Sequence, residues 1–93
     1  MTARFVTFEG PDGSGKTTHV ERAAAWLQWR GVSVRTTREP GGTALGGHVR
    51  RLFLGGEAMA VDGTVEALLM FAARRQHLIE VIDPELAAGR TVL

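Results

Sequence analysis

Short apolar runs and helix-period patterns alternate along this chain of 93 residues. Three runs rich in Val, Phe and Thr predict strands, since β-branched and aromatic residues favour an extended backbone and a glycine lies close to each run. Between them, apolar residues recur three and four positions apart, which predicts amphipathic helices. The predicted order is strand 4–9, helix 16–30, strand 32–36, helix 44–54, helix 64–82, short helix 85–88 and strand 91–93.

Glycine, proline and one threonine mark the predicted ends of the helices. Thr43 is the predicted N-cap of the second helix, and the Gly55-Gly56 pair is predicted to end it. Gly31 and Gly89 can adopt the left-handed conformation of a C-terminal cap, and Pro84 is expected to stop or kink the third helix. The predicted apolar sides are Val20, Ala23, Ala24 and Leu27 on the first helix, and Val65, Leu68, Leu69, Ala72 and Leu78 on the third.

Strands that alternate with helices predict an α/β fold, in which a parallel sheet is wound by crossover helices that cover both of its faces. The length suits one small domain over residues 1–93 and no second domain. Because the third strand is only three residues long, we expect the amino-terminal part of a larger domain, with about its first three strands. The alternative is a complete small domain in which Thr91–Leu93 is a frayed tail.

The composition narrows the classes of partner. Eleven basic residues against ten acidic ones give a net charge of +1, which is too balanced to predict binding to nucleic acid or to a membrane surface. The chain has no cysteine, so disulfides, thiol chemistry and zinc–thiolate sites are excluded. No apolar run approaches the roughly 18 residues of a membrane span, and the first residues show no secretory pattern. The expected location is the cytoplasm.

The segment between the first strand and the first helix matches the eight-residue phosphate-binding loop, or P-loop, at every fixed position. Its glycines let backbone N–H groups turn toward phosphate oxygens, and the following helix adds the positive end of its dipole. Lys16, the only lysine, would bind the β- and γ-phosphates, and the Thr17 hydroxyl would bind Mg²⁺. The predicted nucleotide-binding residues are Gly10, Pro11, Asp12, Gly13, Ser14, Gly15, Lys16 and Thr17.

Asp12 is the informative residue inside this loop. A carboxylate beside bound phosphates is unfavourable unless it turns outward. In that orientation it would accept a hydrogen bond from the hydroxyl of a second substrate, or from a water on the metal. The alternative is an ordinary acidic turn residue.

Two further segments suit a second substrate. Thr37–Thr43 (TREPGGT) follows the second predicted strand, so it should lie at the sheet edge where α/β proteins bind ligands. Leu68–His77 (LLMFAARRQH) places an apolar or aromatic residue one helical turn before an arginine, so that a ring could stack on a base while a guanidinium reaches its edge. The alternatives are an exposed ion pair at Arg38-Glu39, a solvated face at Arg50-Arg51 and a core position for Phe71.

Together, Phe8-Glu9-Gly10 with the P-loop, TREPGGT and LLMFAARRQH resemble the thymidylate kinase family, whose members phosphorylate dTMP to dTDP with MgATP. The resemblance covers residues 5–93, and TREPGGT is its most discriminating segment. It implies a P-loop nucleoside monophosphate kinase fold, ATP and Mg²⁺ as cofactors, and dTMP as the small-molecule substrate. It also implies a homodimer for the full-length protein.

The resemblance implies roles for individual residues. The acid at the Asp12 position contacts the 3′-hydroxyl of the acceptor in the family. Glu39 lies near the transferring phosphate and its metal, with Arg38 beside it, and the arginine at the Arg50 position holds the dTMP phosphate. With Lys16, these give the catalytic set Lys16, Asp12, Glu39 and Arg38.

The resemblance allows two possible pairs of residues for binding the base. In one register Arg74 reads the thymine, Met70 occupies the stacking position and Phe71 lines the base pocket; this is the register we favour. In the other register Phe71 pairs with Arg75. The resemblance therefore gives the substrate-binding set Asp12, Arg50, Met70, Phe71 and Arg74.

Parts of the family pattern are not found in this sequence. Gly13 stands where some members carry an arginine after the loop's acid. Other members supply that arginine from a later lid segment, which does not occur here, nor does the Asp-Arg pair beyond the third strand. We therefore expect the 93-residue chain alone to have little or no activity. The alternatives are another nucleoside monophosphate kinase and a non-catalytic nucleotide-binding fragment.

Overall fold

The computed structural model describes residues 3–11, 13–54 and 60–93. They form two compact units: unit 1 comprises the residues up to Thr37 together with Pro84–Leu93, and unit 2 is Arg38–Asp83. The predicted helix end at Gly55-Gly56 lies outside the described residues. The elements are α1 (Lys16–Trp29), β1 (Val34–Arg35), α2 (Ala44–Leu54), α3 (Gly63–His77), a π-helical turn (Leu78–Ile82), α4 (Asp83–Ala87) and β2 (Thr91–Val92).

Unit 1 is built on a small parallel sheet with β2 at its centre. β1 pairs with β2 in parallel, with Val34 opposite Thr91 and Arg35 opposite Val92. The backbone of Val92 bonds to residues 4 and 6, whereas Thr91 and Leu93 bond to residues 33 and 35. Because successive residues of a strand bond in opposite directions, β2 lies between β1 and the segment around Phe5. The parallel strands expected from the sequence are confirmed.

The predicted strand at 4–9 is much shorter in the structure. It consists of a single parallel bridge between Phe5 and Val92. Phe8 packs against the core of unit 1, but Phe5 is 47% exposed and Val6 is also exposed. Within the described residues this segment is an edge of the sheet. Burial of both faces of a strand requires elements packed above and below the sheet.

α1 packs on the sheet through the apolar side that its spacing predicted. Ala24 is buried with Val34 of β1 and Leu93 beyond β2, and these three form the core cluster of unit 1. The residues packed around this cluster are Phe8, Val20, Ala23, Leu27 and Val32.

A glycine cap ends α1 shortly before β1. Gly31 adopts the left-handed conformation, with φ of 87°, as predicted for a cap. The N–H of Val32 donates to the carbonyl of Leu27 at 2.9 Å. The strand is Val34–Arg35 rather than 32–36. The carbonyl of Ser33 and the N–H of Thr37, on either side of it, also bond to residues 91 and 93.

In unit 2, α3 and the π-helical turn together occupy the predicted helix 64–82. α3 begins one residue earlier, because Asp62 is its N-cap: Oδ2 of Asp62 accepts a hydrogen bond from the N–H of Thr64 at 3.0 Å. At the far end, the N–H of Asp83 donates to the carbonyl of Leu78, five residues back. Pro84 has no N–H and its ring crowds the preceding turn, which accounts for the wider turn in front of it.

The buried side of this helix differs from the predicted one. Ala73, His77 and Val81 are buried and lie four residues apart, whereas Leu68 is 65% exposed and Val65 and Ala72 are also exposed. The apolar pattern was misleading because the side that packs within unit 2 contains a small residue and a histidine. The spacing of apolar residues identifies the most apolar face of a helix, and this face is not necessarily the one that packs against the rest of the protein.

The remaining short elements agree with the sequence. Gly89 follows α4 with φ of 85°, and the N–H groups of Gly89 and Arg90 bond back to Leu86 and Glu85. β2 occupies residues of the predicted third strand, and Val92 is fully buried. In the described part of the chain, no helix has the length and apolar character needed to cross a membrane.

We expect Asp62→Ala to lower the free energy of unfolding by about 1 kcal/mol, because the side chain satisfies an N–H at the start of α3 that has no partner within the helix. Asp62→Asn keeps an acceptor oxygen and is expected to retain most of this stability. Urea denaturation of the complete protein and both variants measures the difference. Equal stability of all three proteins would show that the cap contributes nothing.

Candidate active site

The P-loop of unit 1 turns sharply into α1. Gly13 and Gly15 are left-handed, with φ of 82° and 85°, and the N–H of Ser14 donates to the carbonyl of Pro11 at 3.2 Å. Gly15 is the N-cap of α1 and has no side chain with which to bond the N–H groups of the first helical turn. Free N–H groups at the positive end of a helix suit an anion.

Lys16 folds back over this loop. Its Nζ donates to the carbonyl of Gly10 at 3.1 Å, and the side chain is exposed. Gly10 is closely packed, since a Cβ at that position would lie 2.8 Å from Oγ of Ser14. Thr17 is exposed in the first turn of α1. The predicted contribution of Asp12 lies outside the described residues.

An open cleft of about 670 Å³ lies beside the P-loop in unit 1. Three residues of α1 that line it, His19, Arg22 and Trp26, were not predicted as site residues. These residues lie three or four positions apart, directly after the P-loop, so helical spacing alone could have placed them on the side of α1 that faces the cleft. The lining residues are Phe8, Glu9, Ser14, Lys16, His19, Arg22, Ala23 and Trp26.

In unit 2, residues 38–43 are packed against the start of α2. Oγ1 of Thr43 accepts a hydrogen bond from the N–H of Gly46 at 2.9 Å, which confirms the predicted cap. A Cβ on Gly46 would lie only 2.9 Å from the backbone nitrogen of Gly41. This contact is possible because Gly46 has no side chain, so the glycine fixes how closely the segment approaches the helix.

Two predicted arginines lie beside this segment. If Gly41 carried a Cβ, Nε of Arg38 would be 3.2 Å from it and Cδ of Arg50 3.5 Å from it. Arg50 also donates from its guanidinium to the carbonyl of Pro40 at 3.4 Å. Arg38, predicted as part of the catalytic set, and Arg50, predicted to hold the phosphate of the acceptor, therefore both lie beside Gly41.

Glu39 joins the same segment to α3. Its Oε2 accepts a hydrogen bond from Nε of Arg74 at 3.1 Å, and its Oε1 lies 3.2 Å from Nδ1 of His77. The guanidinium of Arg74 lies 5.8 Å from the centre of the Phe71 ring. The two segments that carry the family resemblance, TREPGGT and LLMFAARRQH, are thus in direct contact in unit 2.

The predicted site residues divide between the two units. The P-loop set lies in unit 1, and Arg38, Glu39, Arg50 and Arg74 lie together in unit 2. Met70 and Phe71 are both exposed on α3. His77 was not predicted as a site residue, although its position three residues after Arg74 places it on the next turn of the same helix.

Comparison with known proteins gives consistent results. A family model described as thymidylate kinase matches residues 8–93. A thymidylate kinase from Pseudomonas savastanoi pv. phaseolicola is 53% identical over 93 residues, which is all of this chain and 44% of the relative. One from Geobacillus thermodenitrificans is 50% identical over all of this chain and 41% of its own length.

A solved structure of the same family has a similar fold. The crystal structure of thymidylate kinase from Ehrlichia chaffeensis matches with a TM-score of 0.86 and 41% identity, over 99% of this chain and 50% of that chain. The α/β kinase fold expected from the sequence, including the expectation that the chain holds only part of it, agrees with this match. The chain spans less than half the length of these curated relatives.

We expect alanine to have opposite effects at two neighbouring glycines of α2. Gly46→Ala places a Cβ against the backbone of Gly41 and should cost about 1–3 kcal/mol of unfolding free energy. Gly47→Ala makes only an ordinary 3.7 Å contact with Arg51 and should stabilise the helix by about 0.5–1 kcal/mol. Thermal and urea denaturation of the complete protein measure both. Destabilisation of similar size at both positions would contradict the close approach of the 38–43 segment.

Proposed function

Starting from the fact that this chain belongs to the thymidylate kinase family, we propose that the complete protein transfers the γ-phosphoryl group of ATP to dTMP and forms dTDP. The chain spans about 44% of a curated relative, so the activity is proposed for the complete protein. One observation carries the proposal. Glu39 and Arg74, from the two segments that carry the family resemblance beyond the P-loop, form a hydrogen bond although 35 residues separate them.

The P-loop residues of unit 1 are proposed to hold the donor. Its backbone N–H groups and the first turn of α1 would bind the phosphates of ATP. In the structure Nζ of Lys16 bonds to the carbonyl of Gly10, and on nucleotide binding we expect it to move to the β- and γ-phosphate oxygens.

The chemistry of this site fits Mg²⁺. The hydroxyl of Thr17 is an exposed hard-oxygen ligand beside the P-loop, the kind that Mg²⁺ prefers. Over residues 3–11, 13–54 and 60–93 there is no group of three His, Asp or Glu side chains that could hold a metal. Mg²⁺ bound with a nucleotide needs few protein ligands, because phosphates and waters supply the rest. When bound, it would neutralise charge on the β- and γ-phosphates.

The acceptor is proposed to bind the charged residues of unit 2. Arg38 and Arg50 lie beside Gly41, and their guanidinium groups would bind the 5′-phosphate of dTMP. Arg74 would donate to the edge of the thymine, with Met70 or Phe71 against its face. The contact of Arg74 with both Glu39 and the Phe71 ring supports the register in which Arg74, rather than Arg75, reads the base. Asp12 would accept a hydrogen bond from the 3′-hydroxyl.

The proposed reaction needs no covalent intermediate. An oxygen of the dTMP phosphate attacks the γ-phosphorus of ATP, the bond to the β–γ bridging oxygen breaks, and ADP leaves. The residues contribute by bringing two anions into line and by stabilising the charge that is transferred. Glu39 is proposed to lie near the transferring phosphate, where its carboxylate must be held in a defined orientation.

Three further expectations stay predictions: the single domain over residues 1–93, the cytoplasmic location and the homodimer of the full-length protein. The predicted homodimer is supported only by exposed apolar side chains on and beside α3. Val65 and Leu68 on α3, and Ile79 in the following turn, are exposed apolar side chains. Such residues on one helix are typical of an interface.

We expect the complete gene product to form ADP from MgATP in the presence of dTMP, with dUMP, AMP and GMP as parallel acceptors. Lys16→Ala should lower turnover by about 100-fold or more, because it removes a donor to the charge that develops. Residues 1–93 alone should show no turnover. Turnover with AMP or GMP in place of dTMP would contradict the proposed substrate, and nucleotide binding without any turnover would favour a non-catalytic role.

Two glycines offer a matched test of the P-loop. Gly13 and Gly89 have φ of 82° and 85°, and a Cβ on either would have no heavy atom of the described, non-adjacent residues within 4 Å. Alanine should therefore cost about 1–2 kcal/mol of backbone strain at both. Only Gly13→Ala should weaken ATP binding, by roughly tenfold, because it redirects N–H groups that face the phosphates. Calorimetric titration with ATP measures this, and equal affinities in the two variants would contradict the proposed role of Gly13.

A further inference from the structure

His77 contacts Glu39 from a buried position. The whole residue is 3% exposed, and its neighbours on the same side of the helix, Ala73 and Val81, are also buried. Nδ1 of His77 lies 3.2 Å from Oε1 of Glu39. An ionised carboxylate only accepts hydrogen bonds, so Nδ1 must carry the hydrogen and donate it. The contact therefore fixes the state of one ring nitrogen as well as the position of the carboxylate.

The second contact of Glu39 is of a different kind. Arg74 is 58% exposed along its side chain, whereas the side chain of His77 is 4% exposed. Exposed ion pairs contribute little, because water and salt compete for both charges. The contact with His77 is partly buried, since the side chain of Glu39 is 32% exposed, and a hydrogen bond with less access to water is lost less readily. The hydrogen bond of Glu39 to Arg74 is therefore the more easily broken of the two, and its hydrogen bond to His77 is the more persistent.

We propose that His77 is the positioning residue of Glu39, and that it holds the carboxylate in place when Arg74 turns from Glu39 to the acceptor base. This inference rests on the proposed function, since it assigns Glu39 and Arg74 to the acceptor. Arg74 and His77 lie three positions apart on one side of α3, so they approach the two carboxylate oxygens separately. Release of Oε2 therefore leaves the bond to Oε1 intact.

The experiment compares His77→Leu with His77→Asn in the complete gene product. Leucine fills the space without a donor, whereas the amide nitrogen of asparagine stands near the position of Nδ1 and still donates. We expect His77→Leu to lower kcat about tenfold with less than a twofold change in KM for dTMP, and His77→Asn to restore most of kcat. Val81→Ala, buried on the same side of the helix, controls for damage to packing and should leave kcat unchanged at a temperature where it is folded.

Combination with Glu39→Gln tests whether His77 acts through Glu39. The double variant should be no slower than Glu39→Gln alone, because a residue that acts through another adds nothing once the other is gone. Equal kcat in the wild type and His77→Leu, failure of asparagine to restore kcat, or additive losses would each overturn the proposal.

A spectroscopic readout keeps the proposal testable if the leucine variant does not fold. In the complete protein labelled with ¹⁵N-histidine, Nδ1 of His77 should carry the hydrogen, respond to Glu39→Gln and keep its state in Arg74→Ala. An unprotonated Nδ1, or no response to Glu39→Gln, would overturn the proposal. These outcomes are separate from failure of the proposed function, in which the wild type would not turn over dTMP while the histidine signals are unaffected.

Discussion

Unit 1 depends on the backbone hydrogen bonds of residues 91–93. Val92 bonds to one neighbouring segment, and Thr91 and Leu93 bond to β1 on the other side. Within the described residues the Phe5 bridge and β1 are held in the sheet through these three residues. Leu93 also completes the buried cluster with Ala24 and Val34. The P-loop follows directly from the Phe5 segment and leads into α1, so this pairing also anchors both ends of the candidate phosphate site.

Unit 2 is held together by a close backbone contact between the 38–43 segment and α2, and by contacts of Glu39 with α3. Gly46 allows the 38–43 segment to lie against α2 at a distance that no other residue permits. Glu39, two residues before Gly41, then bonds to two donors on α3. One donor is exposed and the other is buried, which is the basis of the proposal that His77 keeps the carboxylate in position when Arg74 leaves it.

The chemistry-bearing motifs were readable from the sequence because they are local. Gly13 and Gly15 adopt the left-handed conformation that the P-loop pattern requires, and Thr43 caps the helix that follows it. TREPGGT and LLMFAARRQH were recognised separately, and the structure brings them into contact through Glu39 and Arg74. The roles that the resemblance implies for these residues stay predictions. His77 was missed because a histidine beside an arginine on a helix gives no sign of which residue it faces.

By itself, the amino-acid sequence was sufficient to indicate the order of helices and strands, the P-loop, the caps at Gly31, Thr43 and Gly89, and membership of a kinase family. These features arise from short-range backbone preferences and from fixed spacings. The short length of β1, the exposure of Phe5 and the burial of Ala73 and His77 in place of Val65 and Leu68 became evident only from the folded chain. They depend on which surfaces are covered by segments that are distant in the sequence. An apolar pattern indicates that a face can be buried, but it does not indicate which segment packs against that face.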